Sequence, residues 1–189
     1  MRNIKNERVL FVFIKIIPFL INKIRNKYYN AIFSCCGIKV GKQLSFSGTK
    51  RICVGNYVVF GNQNWIDAID DGIIEIGNYV SFSQNVHVAA KQKVIINDGC
   101  LIGSDVLITD HDHSFDEKYF DLLPKKRPLK IKGNTVLGEN VWLGDNVKIL
   151  SGVILGDNVV VAANAVVTKS FPSGSVIGGI PANYIHKKK

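Results

Sequence analysis

Apolar residues recur at every sixth position in the second half of the chain. The recurring positions are Leu137, Leu143, Ile149, Leu155, Val161 and Val167, with a smaller apolar residue between successive members at Val141, Val147, Val153, Val159 and Ala165. A period of six fits neither a helix of about 3.6 residues per turn nor an isolated alternating strand. It is typical of a triangular solenoid in which each side of a coil is one short strand.

The same period appears upstream of this region. Its apolar positions are Val54, Phe60, Ile66, Ile76, Phe82, Val88, Ile96, Ile102 and Ile108. At least five stacked coils are therefore predicted, and at about 4.8 Å per coil they form a prism roughly 25 to 30 Å long. Many blocks read apolar-Gly-x-x-apolar, as in residues 54–58. We expect the Gly or Asn after the apolar corner residue to adopt a positive φ.

The repeat breaks after Ile108, where a polar excursion runs from Ser114 to about Thr135. Long irregular segments within a regular domain are usually lids or binding loops. His111 lies beside the base of this loop, at a predicted outward corner. Because a neutral imidazole can take a proton from a hydroxyl near neutral pH, the chemistry is predicted here.

The positive charge of the chain is concentrated near its N-terminus. Residues 1–51 contain eleven Lys and Arg and one acid, a net charge of +10, whereas residues 52–189 have a net charge of −1. Within this region the apolar stretch 9–21 is interrupted by Lys15 and Pro18, and is shorter than the about 20 residues that cross a bilayer. It could lie on an anionic membrane surface, or pack on the solenoid end or a neighbouring subunit.

The apolar stretch is followed by no small-x-small cleavage motif, so we expect a cytoplasmic protein. If the apolar stretch lies on a membrane, that membrane surface is the inner face. Three regions are predicted: a basic and apolar helical segment over 1–37, a solenoid over 38–181 with its loop at 114–135, and a basic tail over 182–189. The four cysteines have no metal-knuckle spacing and are predicted to be free thiols. The basic segment lacks interleaved aromatics and glycines, and no nucleic-acid partner is expected.

Four motifs together resemble the left-handed β-helix acyltransferases with hexapeptide repeats. They are Asp-His-Asp-His at 110–113, Asn-Val-Trp-Leu-Gly at 140–144, the run 162–169 and Gly-Gly-Ile-Pro-Ala at 178–182. The resemblance covers residues 38–186 and is greatest to O-acetyltransferases of bacterial lipopolysaccharide O-antigen and capsule synthesis. It implies an all-β solenoid, a left-handed parallel β-helix, with an N-terminal helical segment and one extruded loop. It also implies a homotrimer that uses acetyl-CoA as co-substrate and needs no metal.

By this resemblance His111 is the general base that deprotonates a sugar hydroxyl for direct transfer. Asp110 and Asp112 either hold the imidazole tautomer or only cap backbone N–H groups beside a turn. His113 orients His111, contacts the acceptor or is merely solvated. One coil earlier, Asn85 and His87 are candidates for the acceptor pocket.

The resemblance also implies a set of residues that bind the co-substrate. Its members, on the pantetheine arm and the nucleotide end of acetyl-CoA, are Trp142, Ala162, Ala163, Thr168 and Lys169. Two departures from the sugar acetyltransferases stand out. Asn183 and His186 occupy the positions of an arginine pair that contacts CoA. Ser83 and Lys91 replace an Asn and an Asp for the acceptor, which favours a sugar other than a galactoside.

The predicted function is thus acetyl-CoA-dependent O-acetylation of a sugar hydroxyl, on a sugar or lipid-linked glycan, in surface polysaccharide biosynthesis. Two alternatives remain open. A γ-class carbonic anhydrase uses a similar solenoid but needs three zinc-binding histidines, at a spacing that His87, His111 and His113 do not reproduce. A non-catalytic solenoid would show regular threonine or charge arrays on one flat face, and none is visible.

Overall fold

A computed structural model describes the chain from residue 9 to residue 186. One helix, α1, spans Val9–Ile32. The strands of the first half are β1 (Lys39–Val40), β2 (Ser45–Ser47), β3 (Ile52–Val54), β4 (Val59–Phe60), β5 (Trp65–Ala68), β6 (Ile73–Ile76), β7 (Ser81–Phe82), β8 (His87–Ala90), β9 (Lys93–Ile96), β10 (Leu101–Ile102) and β11 (Leu107–Thr109). Those of the second half are β12 (His111–His113), β13 (Leu129–Ile131), β14 (Thr135–Leu137), β15 (Trp142–Leu143), β16 (Lys148–Ile149), β17 (Ile154–Leu155), β18 (Val160–Val161), β19 (Val166–Val167), β20 (Val176–Gly179) and β21 (Ala182–His186).

The strands form three long sheets, which are the faces of a triangular prism. Face 1 has the order β1-β4-β7-β10-β15-β18-β20-β21, face 2 is β2-β5-β8-β11-β16-β19, and face 3 is β3-β6-β9-β14-β17. Successive strands of these sheets visit faces 1, 2 and 3 in turn, and within the three faces all ladders are parallel except the last one on face 1. The chain therefore winds as a parallel β-solenoid of about seven turns, as its six-residue period predicts.

The core is a set of columns in which each inward side chain packs on its equivalents in the coils before and after. All the apolar positions of the predicted repeat are buried. Phe60 and Phe82 illustrate the stacking, with ring centroids 4.9 Å apart and planes 4° from parallel. The register that produces this contact pairs β4 with β7 residue for residue. The predicted inward pattern and the fold class are confirmed.

The conformational prediction for the corners was wrong. Gly55 and Gly77, which follow the apolar residue, are not in the left-handed region; Tyr57 and Tyr79, two residues further on, have φ of 59° and 58°. The glycines are needed for space, since a Cβ on Gly55 would lie 2.6 Å from the carbonyl carbon of Gly77. Asn158, with φ of 57°, occupies the left-handed position of a later corner. Asparagine tolerates this conformation better than most residues.

The second half of α1 closes the N-terminal end of the solenoid through polar side chains. Asn26 accepts a hydrogen bond from the N–H of Val40 at 2.9 Å, and Asn30 accepts one from the N–H of Ile38 at 3.0 Å. Arg25 donates to the carbonyl of Val40 at 2.9 Å. These contacts satisfy backbone groups of Val40 in β1 and of Ile38 just before it, at the edge where no further coil pairs.

An aromatic cluster continues this closure over the core. Tyr29 of α1 and Phe33, the residue after the helix, are stacked with centroids 6.4 Å apart, and Phe33 lies 5.0 Å from Phe46, which in turn contacts Phe60. Packing on the solenoid end thus holds for this part of the predicted helical segment. In the described part of the chain, no helix has the length and apolarity of a membrane span. The predicted basic residues at 1–8 and 187–189 lie outside the described residues.

The C-terminal region differs from the predicted tail. Residues 182–186 form β21, which turns back antiparallel to β20. Ala182 is fully buried, and Tyr184 packs edge-on against Phe171 at 5.2 Å. The segment is ordered because β20 offers it a free edge and because Phe171 supplies an apolar surface.

Candidate active site

The extruded segment leaves the prism at the corner between faces 2 and 3. It begins as a two-stranded antiparallel ribbon, with His111 opposite Ile131 and His113 opposite Leu129. The segment was predicted as irregular from Ser114 to about Thr135, so its regular stem was missed. Thr135 already belongs to β14 and donates its hydroxyl to the carbonyl of Thr109 at 2.9 Å. This bond ties together the two points at which the ribbon leaves the prism.

Asp110 is the buried anchor of this corner. Its carboxylate accepts backbone N–H bonds from Lys91 at 2.8 Å, Gln92 at 2.7 Å and Lys93 at 2.6 Å, and contacts Nδ1 of His111 at 2.9 Å. Burial alone would raise the pKa of Asp110, but the bonds from His111 and the three N–H groups outweigh it and hold the pKa below its usual value. The carboxylate therefore stays ionised at neutral pH.

His111 is oriented by its neighbours in sequence. Its side chain is 12% exposed, and Nδ1 also lies 3.2 Å from the hydroxyl of Thr109. A carboxylate can only accept hydrogen bonds, so we assign the proton shared with Asp110 to Nδ1. The neutral imidazole then has its lone pair on Nε2. Asp110 thus both caps backbone N–H groups and fixes the tautomer, the two roles that the sequence left open.

The other two residues of the motif are placed differently. Asp112 is half-buried within β12, opposite Lys130 of β13. His113 is exposed at the end of the same strand. Because residues two apart in a strand point to the same face, alternation does not explain the different exposure of His111 and His113. The contact with Asp110 holds His111 against the prism, and His113 has no such anchor among the described residues.

Face 2 carries a polar and aromatic cluster that extends from His111 towards the N-terminus. His87 stacks on Trp65 with centroids 4.2 Å apart and planes 11° from parallel, and its Nε2 lies 3.6 Å from a carboxylate oxygen of Asp67. The sequence reasoning missed Trp65 and Asp67. Asn85 lies outside the cluster, at the corner between faces 1 and 2, where its side chain donates to Asp105 at 2.5 Å.

The electrostatics of His87 link it to the corner of His111. Burial is the largest effect and lowers the pKa of His87, the charge of His111 acts in the same direction, and together they exceed the opposing effect of Asp67. His87 is therefore neutral near pH 7. His87 on face 2 is thus close enough to His111, at the neighbouring corner, for the charge of one to affect the other.

Trp142 lies on face 1, half exposed, at the edge of a groove of about 530 Å³. The groove continues to the corner between faces 1 and 2 and is lined by Ser83, Leu101, Gly103, Trp142, Leu143, Gly144, Asp145, Val160, Val161, Ala162 and Ala163. Small residues are required here, because a Cβ on Gly144 would lie 2.7 Å from the backbone nitrogen of Ala163. Three of the predicted co-substrate residues, Trp142, Ala162 and Ala163, thus share one groove.

Thr168 and Lys169 lie elsewhere, at the corner between faces 2 and 3, which is also the corner of His111. Both are exposed, and Lys169 donates to the side-chain oxygen of Asn183 at 2.8 Å. The run 162–169 was predicted as one side of a groove, but it crosses the whole of face 2. The reason is the repeat itself, since six residues carry the chain from one corner of the prism to the next.

Within one chain, therefore, His111 does not meet the groove of Trp142. The remaining chemistry-bearing residues add no second centre among residues 9–186. No cluster of three or more His, Cys, Asp or Glu with metal-binding geometry occurs there. The cysteines are unpaired, and burial raises the pKa of Cys100 to about 11.

The family model described as "Bacterial transferase hexapeptide (six repeats)" matches residues 134–169. The chain is 42% identical over 129 residues to an Escherichia coli K12 protein named as a lipopolysaccharide biosynthesis O-acetyl transferase, WbbJ, covering 65% of this chain and 64% of that protein. It is 33% identical over 126 residues to a protein of Lysinibacillus sphaericus named as a probable macrolide acetyltransferase, covering 67% and 69%. The chain thus spans just under two thirds of the length of WbbJ.

The fold also matches solved structures. An N-acyltransferase from Bacillus cereus, AntD, in complex with dTDP and 3-hydroxybutyryl-CoA, superimposes with a TM-score of 0.75 over 87% of this chain and 88% of that one. The sequence identity is 19%, so this likeness concerns the fold alone.

Proposed function

This chain belongs to the bacterial hexapeptide-repeat acyltransferases, and from that premise we propose that it is an acetyl-CoA-dependent O-acetyltransferase acting on a sugar hydroxyl in surface polysaccharide biosynthesis. The single observation that carries the proposal is the Asp110–His111 pair. It supplies an oriented imidazole beside an extruded ribbon, which is what a general base needs. The relationship to WbbJ supports the acceptor class.

The proposed reaction uses the free nitrogen of His111. Nε2 takes the proton of the acceptor hydroxyl as its oxygen attacks the thioester carbonyl carbon of acetyl-CoA. The C–S bond breaks, and the departing thiolate takes the proton from the imidazolium. Asp110 stabilises the transient imidazolium, because its buried carboxylate lies 2.9 Å from Nδ1. No acyl-enzyme is required.

We further propose a homotrimer in which two subunits complete each site. His111 lies at the corner between faces 2 and 3, whereas the groove of Trp142, Ala162 and Ala163 opens at face 1. A single prism therefore holds the base and the pantetheine groove on different sides. In the proposed assembly, His111 of one subunit faces the groove of the next, with Thr168 and Lys169 near the nucleotide end of CoA.

The proposed location is the cytoplasmic face of the membrane, where lipid-linked glycans are concentrated. The surface of α1 that faces away from the solenoid is apolar: Phe19 is 65% exposed and Ile24 72% exposed. Lys23 and Lys27 flank this surface, and the net charge of +10 over residues 1–51 suits an anionic lipid. Apolar and basic signals together are what reversible anchoring requires, each basic residue adding about 1 kcal/mol near the surface.

The catalytic proposal is tested by His111→Ala with acetyl-CoA and glycoside acceptors. We expect kcat to fall by roughly 10² to 10⁴-fold, which is the usual contribution of a general base. His113→Ala, two residues away and exposed, is the matched control and should retain most of its activity. Near-full turnover by His111→Ala would refute the mechanism.

The location is tested by sedimentation with phosphatidylglycerol vesicles against phosphatidylcholine vesicles. Lys23→Glu with Lys27→Glu should abolish the preference for the anionic vesicles. Lys125→Glu with Lys126→Glu, an equal charge change on the extruded segment, should have less effect. Binding that is insensitive both to salt and to the α1 substitutions would exclude this anchoring mode.

A further inference from the structure

An aromatic platform lies on face 2, two strands away from the catalytic corner. Ser45, Trp65 and His87 occupy equivalent outward positions on the adjacent strands β2, β5 and β8. The indole stacks on the imidazole of His87 on one side. On its other side the same register position holds only the small Ser45. Trp65 is 51% exposed, so a large apolar ring is held rigidly with one side uncovered.

The platform is oriented by a polar pair. Nε2 of His87 is buried and has no hydrogen-bond partner among the described residues, and its nearest anion is Asp67 at 3.6 Å. Because burial keeps the imidazole neutral at pH 7, it serves as a flat support for the indole. The carboxylate of Asp67 is 14% exposed and contacts His87 through one oxygen, which leaves it able to accept a hydrogen bond from a ligand.

An indole with one free side beside a carboxylate suits a sugar ring. The ring's C–H groups carry partial positive charge and are attracted to the negative face of an aromatic system, while its hydroxyls donate to carboxylates. A groove with one aromatic surface and few, well-placed polar groups is typical of small-ligand recognition.

The separation between Trp65 and the corner of His111 decides how many sugars the acceptor must contain. β5 and β11 are separated by β8 alone, so Trp65 and Thr109 differ by two strand spacings, about 10 Å along the prism. The residue between Asp67 and Thr109 at that register is Ala89, whose small side chain is buried. No large side chain therefore separates them there. A pyranose with its hydroxyl at His111 is too small to cover Trp65 as well.

We propose that the acceptor is an oligosaccharide of at least two sugars: one sugar presents its hydroxyl to His111, and its neighbour stacks on Trp65 and donates to Asp67. This inference rests on the proposed O-acetyltransferase function. It separates the chain from enzymes whose acceptor is a single nucleotide-linked sugar.

The test measures CoA release with methyl glycosides of bacterial surface monosaccharides, with matched disaccharide glycosides, and with dTDP-linked monosaccharides. For Trp65→Ala we expect the disaccharide-to-monosaccharide ratio of kcat/KM to fall about tenfold, equivalent to about 1.4 kcal/mol, through KM rather than kcat. Trp65→Phe should keep part of the preference, and Asp67→Asn should also raise the disaccharide KM. Tyr79→Ala removes another exposed, stacked aromatic, at the corner between faces 3 and 1, and should leave the ratio unchanged.

Three outcomes would overturn the proposal. An unchanged ratio in Trp65→Ala would remove Trp65 from acceptor binding and leave the proposed function intact. A loss confined to dTDP-linked monosaccharides would assign the platform to a nucleobase. Absence of transfer by the wild type to every acceptor would refute the O-acetyltransferase function itself, and the subsite with it.

Discussion

The clearest test of the site is Asp110→Asn, which removes one charge and keeps the shape of the side chain. The amide oxygen of the substituted side chain is expected to take the place of the carboxylate oxygen that accepts from Gln92 and Lys93. The flipped amide would leave these two backbone N–H groups without an acceptor, instead of the single N–H of Lys91. The new NH₂ group then faces the N–H of Lys91, which loses its acceptor, and Nδ1 of His111, to which it donates. The imidazole must move its proton to Nε2 and can no longer act as a base.

Two magnitudes follow from this geometry. A buried N–H without an acceptor costs about 1 to 3 kcal/mol, which lowers Tm by about 3 to 10 °C in a chain of this size. The wrong tautomer lowers kcat by about 10³ to 10⁴-fold, by analogy with the same substitution in serine proteases. Both are measurable, by thermal melting and by CoA release well below the lower Tm.

The matched control is Asp116→Asn, where an exposed carboxylate 2.9 Å from Lys130 loses the same charge. It should leave kcat within about twofold of wild type, because surface ion pairs contribute little. If Asp110→Asn lowered Tm but kept its kcat, Asp110 would only cap the backbone and the proposed tautomer control would be refuted.

Three further predictions concern assembly, the co-substrate and pH. His111→Ala and Trp142→Ala chains, each inactive alone, should regain activity when they are coexpressed and form mixed trimers. An active enzyme that light scattering shows to be a monomer would contradict the shared site. Lys169→Ala should raise KM for acetyl-CoA about tenfold, and raise it much less for 3′-dephospho-acetyl-CoA, if the lysine contacts the phosphate. Because His87 has a lowered pKa, the folded state binds fewer protons than the unfolded one and stability falls as pH drops below about 6.5; His87→Gln should flatten the decline of Tm between pH 7 and 5.5.

The fold could be predicted because every short strand buries one side chain per coil, and a six-residue period shows that directly. The burial of Asp110 was harder to predict, although its position in the repeat indicates it. It lies two residues after the inward Ile108, at the position that Ala90 occupies in the preceding coil, so its acidic side chain had to be buried. A charge at an inward position needs buried partners, and these came from three backbone N–H groups with no signature in the sequence.

Trp65 and Asp67 were missed for a different reason. Outward positions carry no periodic constraint, and the alignment of coils depends on corners of unequal length. Trp65 pairs with His87, 22 residues later, while His87 pairs with Leu107, 20 residues later. The extra residues lie in the turn after β5. Without knowledge of that register, the stacking of Trp65 on His87 cannot be predicted from their separation in the sequence.

The two ends of the prism have a consequence for how long it can grow. A parallel solenoid has no intrinsic length, since each coil offers the next an open edge and a fresh apolar cross-section. Here α1, with Asn26 and Asn30, and the following Phe33 block one end, and β21 turns back to block one edge of the other. Removing α1 entirely would therefore expose a template for end-to-end polymerisation into fibrils, as unprotected strand edges do. Truncations meant to probe membrane binding should stop before Asn22, so that the end of the solenoid stays covered and the protein does not polymerise.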